Sequence, residues 1–279
     1  MEQDEIIEVI EIVPDDEETV LSAEDLNALR EAKCRLEHPS LTARLSDMVG
    51  RPLESGFRRL PARWHETITV ATETALLKGL EFSIRTMGQE RPSRSRDLLH
   101  KALAAGTGAL GGAAGVAALP VELPISTCVM LRSIADIARS EGHDLSSIEI
   151  RLACLEVFAL GGGAAADDAA ESGYWVVRGV LSKYVSDAAA HIARKGLTDR
   201  SAPALVRLIA QIAARFGIVV SEQAAATAVP VVGAVTGGAI NYLFIDHFQD
   251  VAKGHFIIKR LEKKYGTAVL QRAYEELTL

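Results

Sequence analysis

From Ser22 onward apolar positions recur every three or four residues, the spacing of helices with one buried face. No sustained period-two alternation follows residue 13, so the chain reads as all-α, a multi-helix bundle. Ser22 opens the first helix, its hydroxyl placed to cap the N–H of Asp25 while acids fill the first turn. Pro39 interrupts that helix. An amphipathic helix is predicted from Pro61 to about Met87, with Trp64, Ile68, Ala71, Ala75 and Leu76 facing a core. The next runs from Ile125 to Ser140, with Leu131, Ile134, Ala135 and Ala138 on one side and Arg132, Asp136 and Arg139 on the other. Gly142 stops it, and Ser146 with Glu149 has the spacing of a capping box for a helix through Phe158. Further helices are predicted from Ala164 to Lys195, closed by cations and Gly196, from Ser201 to near Gly217, and over Asp246 to Tyr265 and Thr267 to Leu277.

Two stretches depart from this pattern because they carry no charge at all: Ala102 to Val121 and Ala224 to Ile245. Glycine in a helix interior costs about 1 kcal/mol relative to alanine, so the five glycines of the first stretch need a reason. Gly108 and Gly112 are four apart, as are Gly111 and Gly115, and such pairs share a helix face that a partner helix approaches closely. Gly233 and Gly237 repeat the spacing in the second stretch, with Gly238 beside them. The two read as mutual partners, a central glycine-zipper pair. Each stretch is also about long enough to cross a bilayer. Alanine and glycine make them only modestly apolar, and the amphipathic, charged segment between them resembles ordinary soluble helices. A buried hairpin is therefore the favoured reading and a membrane span the lesser one.

Composition adjusts this picture. Hydrophobic residues make up 48% of the 279 residues but aromatics only 5%, which suits close helix packing and argues against stacking on single-stranded nucleic acid. Eleven of the 37 acidic residues lie in residues 1–25, so the remainder carries 30 basic against 26 acidic side chains. An acidic tail thus precedes a mildly basic body, and neither is the concentrated basic patch of a nucleic-acid binder. Three segments follow: residues 1–20, an acidic tail that is either solvated or a docking segment for a protein partner; residues 21–90, a helical segment packed on the main domain; and residues 91–279, the main helical domain. Cys34, Cys128 and Cys154 lie far apart without a C-x-x-C pair, as in reduced thiols of a cytosolic protein. The acidic N-terminus lacks the basic start of a secretory signal.

No motif assembles a known catalytic set. The glycine-rich runs lack the phosphate-loop pattern, and no serine lies in a G-x-S-x-G context. Glu122, between two prolines, is either a buried acid or an anion at the first turn of the following helix, with Arg132 a candidate partner. Asn241, Asp246, His247, Asp250 and His255 supply metal-ligand residue types but no metal-binding motif, and an exposed charged helix explains them better. Asp167, Asp168 and Glu171 read as first-turn acids. No metal and no cofactor is expected.

Three blocks, GALGGAAGVAALPVELP, RSIADIARSEGHDL and VPVVGAVTGGAINYLFIDHFQDVAKGHF, carry a resemblance to the EcsC family across residues 95–265. Glu122 stands where the family pattern L-P-x-D-L-P has Asp. The resemblance implies a bacterial intracellular protein with neither an agreed biochemical activity nor a cofactor. The family takes its name from a protein encoded beside an ABC-transporter ATPase and permease. The expectation that follows is a membrane-associated interaction protein, cytoplasmic or peripheral on the inner face of the membrane and accessory to transport or secretion. Its basic cluster of Arg91, Arg94, Arg96 and Lys101 would meet anionic head groups. The alternatives are a cytosolic interaction domain with no membrane role, and a lipid or peptide hydrolase with Glu122, Asn241 and His247 around one pocket.

Overall fold

The computed structural model describes residues 21–37, 41, 44–45, 63–86, 119–162, 173–196, 201–227 and 234–278. The described residues form eight helices with defined bounds and no strand: α1 (Ala23–Leu36), α2 (Arg63–Thr86), α3 (Leu119–Ser140), α4 (Ile148–Leu160), α5 (Gly173–Lys195), α6 (Pro203–Thr227), α7 (Ala234–Tyr265) and α8 (Thr267–Glu276). The all-α reading holds.

The bundle is built around α4. Every residue from Leu152 to Ala159 is buried, because this short helix is apolar on nearly all sides and can satisfy them only from within. It touches α2, α3, α5, α6 and α7. Phe158 anchors it through an aromatic cluster with Phe216 of α6 and Phe248 of α7, at centroid distances of 4.8 and 5.3 Å. Phe244 completes the cluster against Phe248 at 5.2 Å. Tilted and edge-on rings at such distances add about 0.5–1.5 kcal/mol per pair beyond area burial.

Around this centre α2 packs along α3 and α6, α3 along α7, and α5 along α4 and α6. Of the side predicted to face the core of α2, Ile68, Ala71, Ala75 and Leu76 are buried, while Trp64 is half-buried. A second, smaller core lies under α1 and α8, where Leu29, Trp175, Ile258, Leu261, Leu270 and Tyr274 meet. Gly266 has φ +85°, a left-handed conformation that lets α8 fold back from the end of α7. Lys33 of α1 then donates to the carbonyls of Tyr274 and Leu277 at 2.9 and 2.7 Å, satisfying the open C-terminal end of α8.

Several boundaries differ from expectation. α3 starts at Leu119 and takes both Pro120 and Pro124 into its first turns. α6 passes straight through Gly217 to Thr227. The second charge-free stretch is divided between the end of α6 and the start of α7, and α7 then continues unbroken to Tyr265. Ser147, not Ser146, is the cap residue of α4; Ser146 bonds Asp144 instead, so the capping box does not form. Asp136, expected on the outer side of α3, is buried and paired with Arg139 at 2.8 Å. By contrast the Ser22 cap is made as predicted, its hydroxyl accepting from Asp25 N–H at 3.2 Å.

Candidate functional site

Three helices bring ionisable side chains into the interior at one seam. The centre is Glu156, the one acid on α4's buried stretch, 4% exposed. Facing it from α7 is His255, fully buried, with Nε2 3.8 Å from a Glu156 oxygen. From α5, the Tyr174 hydroxyl lies 3.0 Å from His255 Nδ1. Arg178, one turn further along α5, reaches Tyr174 Oη at 3.4 Å and is held by Glu262 of α7 in a two-pronged ion pair, Nη1 to Oε1 at 2.8 Å. Its guanidinium also lies over Trp175, 5.4 Å from the ring centroid. Lys259 is half-buried on α7 between His255 and Glu262 in sequence.

Electrostatics follow from burial. Desolvation pushes the Glu156 carboxyl up to about 7, against the pull of Lys259 and Arg178. It holds His255 well below the usual imidazole range, with Lys259 and Arg178 adding to the effect. It also raises the Tyr174 phenol, which therefore stays protonated, and depresses the Lys259 ammonium. Arg178 donates to Tyr174 Oη, and the buried phenol O–H finds an acceptor when His255 Nδ1 takes it. In that tautomer the imidazole proton sits on Nε2, the nitrogen that faces Glu156 and has no hydrogen-bond partner among the described residues.

The residues singled out from sequence are arranged differently. Glu122 is half-buried in the first turn of α3, and burial raises its carboxyl. Asn241 is buried and accepts from Gln223 of α6 at 3.3 Å. His247 bonds the Gly161 carbonyl through Nε2 at 2.8 Å, and Arg215 donates to the Ala159 carbonyl at 2.9 Å, so the two together satisfy the C-terminal end of α4. Glu122 thus lies at the start of α3, while Asn241 engages α6 and His247 the end of α4. Asp246 pairs with Arg44 at 2.6 Å and Asp250 with Arg35 at 2.7 Å. Among the described residues no group of three His, Cys, Asp or Glu is placed to hold a metal ion. Gly108, Gly111, Gly112, Gly115 and Gly233, the basic residues Arg91, Arg94, Arg96 and Lys101, and Asp167, Asp168 and Glu171 lie outside the described residues. Gly237 and Gly238 fall in the first turns of α7.

A family model, that of the EcsC protein family, matches residues 23–261. The chain belongs to the EcsC family. No curated protein and no solved structure matches it. The match begins at α1, so the EcsC region takes in α1 and α2 as well as the three sequence blocks. The seam of Glu156, Tyr174, Arg178 and His255 lies wholly inside it. Of that seam the sequence marks His255 as a metal-ligand type, whereas Tyr174 and Arg178 look like ordinary residues of an amphipathic helix. A further signal is the lone Glu in the apolar run of α4.

The outer surface of this EcsC protein has a second feature. Among the described residues one helix is long and apolar enough to cross a membrane, over Pro203–Ala226 of α6, and 44% of its apolar window is buried. Val206 and Ile218 of α6 are exposed, as are Val176 and Val180 on the neighbouring α5.

Proposed function

We propose that this EcsC protein works without catalysis at a membrane surface, as a peripheral helical interaction protein on the cytoplasmic face, accessory to a transport or secretion system. The observation that carries the reading is α6: an apolar helix of roughly 37 Å, against about 30 Å of hydrocarbon, with more than half of its apolar window unburied. On α5, Val176, Val180, Lys183, Asp187 and Arg194 follow one another at three-, four- and seven-residue steps and share one exposed stripe. On α6, Arg207, Ala210, Ala214 and Ile218 do the same. The helices touch and are joined by a short connection, the arrangement of antiparallel neighbours. The connection end of this hairpin is then cationic, with Arg194 and Arg207, and the opposite end apolar, with Val176, Val180 and Ile218. Cations and apolar side chains together suit an anionic lipid surface, each Lys or Arg near it worth about 1 kcal/mol. The basic residues Arg91, Arg94, Arg96 and Lys101 would add to that attraction.

The test is flotation of the full chain with vesicles of phosphatidylglycerol and phosphatidylcholine, beside one of phosphatidylcholine alone. Binding is expected to the anionic vesicles, to weaken in high salt, and to fall when Val176, Val180 and Ile218 are replaced by Ser. A protein that stays at the bottom of the gradient at low salt, while remaining folded, would replace this reading with a cytosolic helical interaction protein. That second reading draws on the packing of α6 against α2, α4, α5 and α7.

A further inference from the structure

The seam between α4, α5 and α7 holds two groups of opposite ionisation type, both removed from water and close together without a direct hydrogen bond. A carboxylate and an imidazolium in that position would each lose their hydration. A single approach of 3.8 Å does not repay two such losses. The neutral forms cost far less. Tyr174 favours one tautomer of His255, since its buried O–H finds an acceptor only when Nδ1 is unprotonated and takes it. We propose that Glu156 and His255 form a buried neutral pair, with Glu156 kept as the carboxylic acid, His255 as the imidazole carrying its proton on Nε2, and Tyr174 and Arg178 as positioning residues.

The proton balance is explicit. Between about pH 4.5 and 6.5 the unfolded chain carries Glu156 as carboxylate and His255 as imidazolium. On folding, the imidazolium gives up the proton on Nδ1, the carboxylate gains one from solvent, and the products are imidazole and carboxylic acid. The count is the same on both sides, so this pair leaves folding stability independent of pH in that window. The other charged or titratable groups around it are Cys154 on α4, Arg178 on α5, Lys259 and Glu262 on α7, and His143 after α3. Glu262 is tied to Arg178, and Lys259 and Arg178 both favour the carboxylate of Glu156 once it ionises above about pH 7.

Splitting the pair exposes its two halves. With Glu156→Gln only His255 remains, its folded-state affinity for protons depressed. Stability is then full above the ordinary imidazole range and falls as pH drops below about 6.5. With His255→Asn, which keeps an acceptor for Tyr174, only Glu156 remains, its folded-state affinity raised. Stability is then full below about pH 4.5 and is lost as pH rises to about 7. Each slope should approach tenfold in the folding equilibrium per pH unit, measured against the parent chain at the same pH, and the two should have opposite sign. Two variants that show the same sign, or no difference in slope from the parent, overturn the proposal. Should either variant fail to fold, nitrogen-15 spectra of the parent decide it: His255 at pH 6 is expected neutral with its proton on Nε2. An imidazolium signal, or a proton on Nδ1, overturns the assignment.

Discussion

Gly162 shows how much a single missing methyl group matters here. A Cβ at that position would lie 2.6 Å from the backbone of Arg215, and one at Gly254 would lie 2.7 Å from Leu36 and 3.0 Å from the Ala32 carbonyl. Gly179 and Gly217 are helical like Gly254, yet a Cβ on either meets nothing within 4 Å. Replacing Gly162 or Gly254 by Ala is therefore expected to destabilise by about 1–3 kcal/mol through forced backbone shifts. The same change at Gly179 or Gly217 is expected to stabilise by about 0.4–1 kcal/mol, since the unfolded chain loses freedom and no contact is strained. Urea unfolding of the four single variants checks the contrast; equal effects at all four would refute it. In sequence these glycines are indistinguishable, because what separates them is a neighbouring helix far along the chain. His247 teaches the same lesson. It reads as a candidate site residue, but its partner is a carbonyl 86 positions away that no local pattern discloses. Its replacement by Ala leaves the Gly161 carbonyl without that donor and should cost about 1–3 kcal/mol, which thermal unfolding would register.

At the scale of elements, the apolar faces of α2 and α3 were legible because a stripe of period 3.6 carries its own explanation. Boundaries were less so. Gly217 reads as a stop, but the run around it contributes Phe216, Val219 and Val220 to the core, and their burial outweighs a glycine cost of about 1 kcal/mol. α4 has no polar face to mark it as amphipathic, and its central place follows from that very lack. Truncating Phe158 to Ala should cost about 3–5 kcal/mol, because its ring joins α4 to α6 and α7 with little room for collapse. Denaturant midpoints would measure it, and a loss below 1 kcal/mol would mean that α4 is not the bundle's anchor. The seam around Glu156 was illegible for a related reason: its members come from three helices, and although His255 stands out by residue type, nothing local ties it to Glu156 or Tyr174.

Across the whole molecule, α8 stands beyond the region that the EcsC family model matches, yet it completes the second core. Ending the chain after Tyr265 removes the buried Leu270 and Tyr274 and should cost at least about 3 kcal/mol, by the usual return for two large buried side chains. A truncated chain with an unchanged melting temperature would show that α8 rests on the fold without supporting it. The Lys33 contacts give this region another property. Lys33 and Leu277 are 244 positions apart, so their bond closes a loop of almost the entire described chain. Loop-closure entropy grows only logarithmically, with each doubling of length costing about 0.6 kcal/mol, so closing this loop is a modest step once α7 has formed between its ends. Breaking the Lys33 bonds loosens the end of α8 first, because α1 is held mainly by α7, so amides of α8 are expected to exchange with solvent ahead of those of α1.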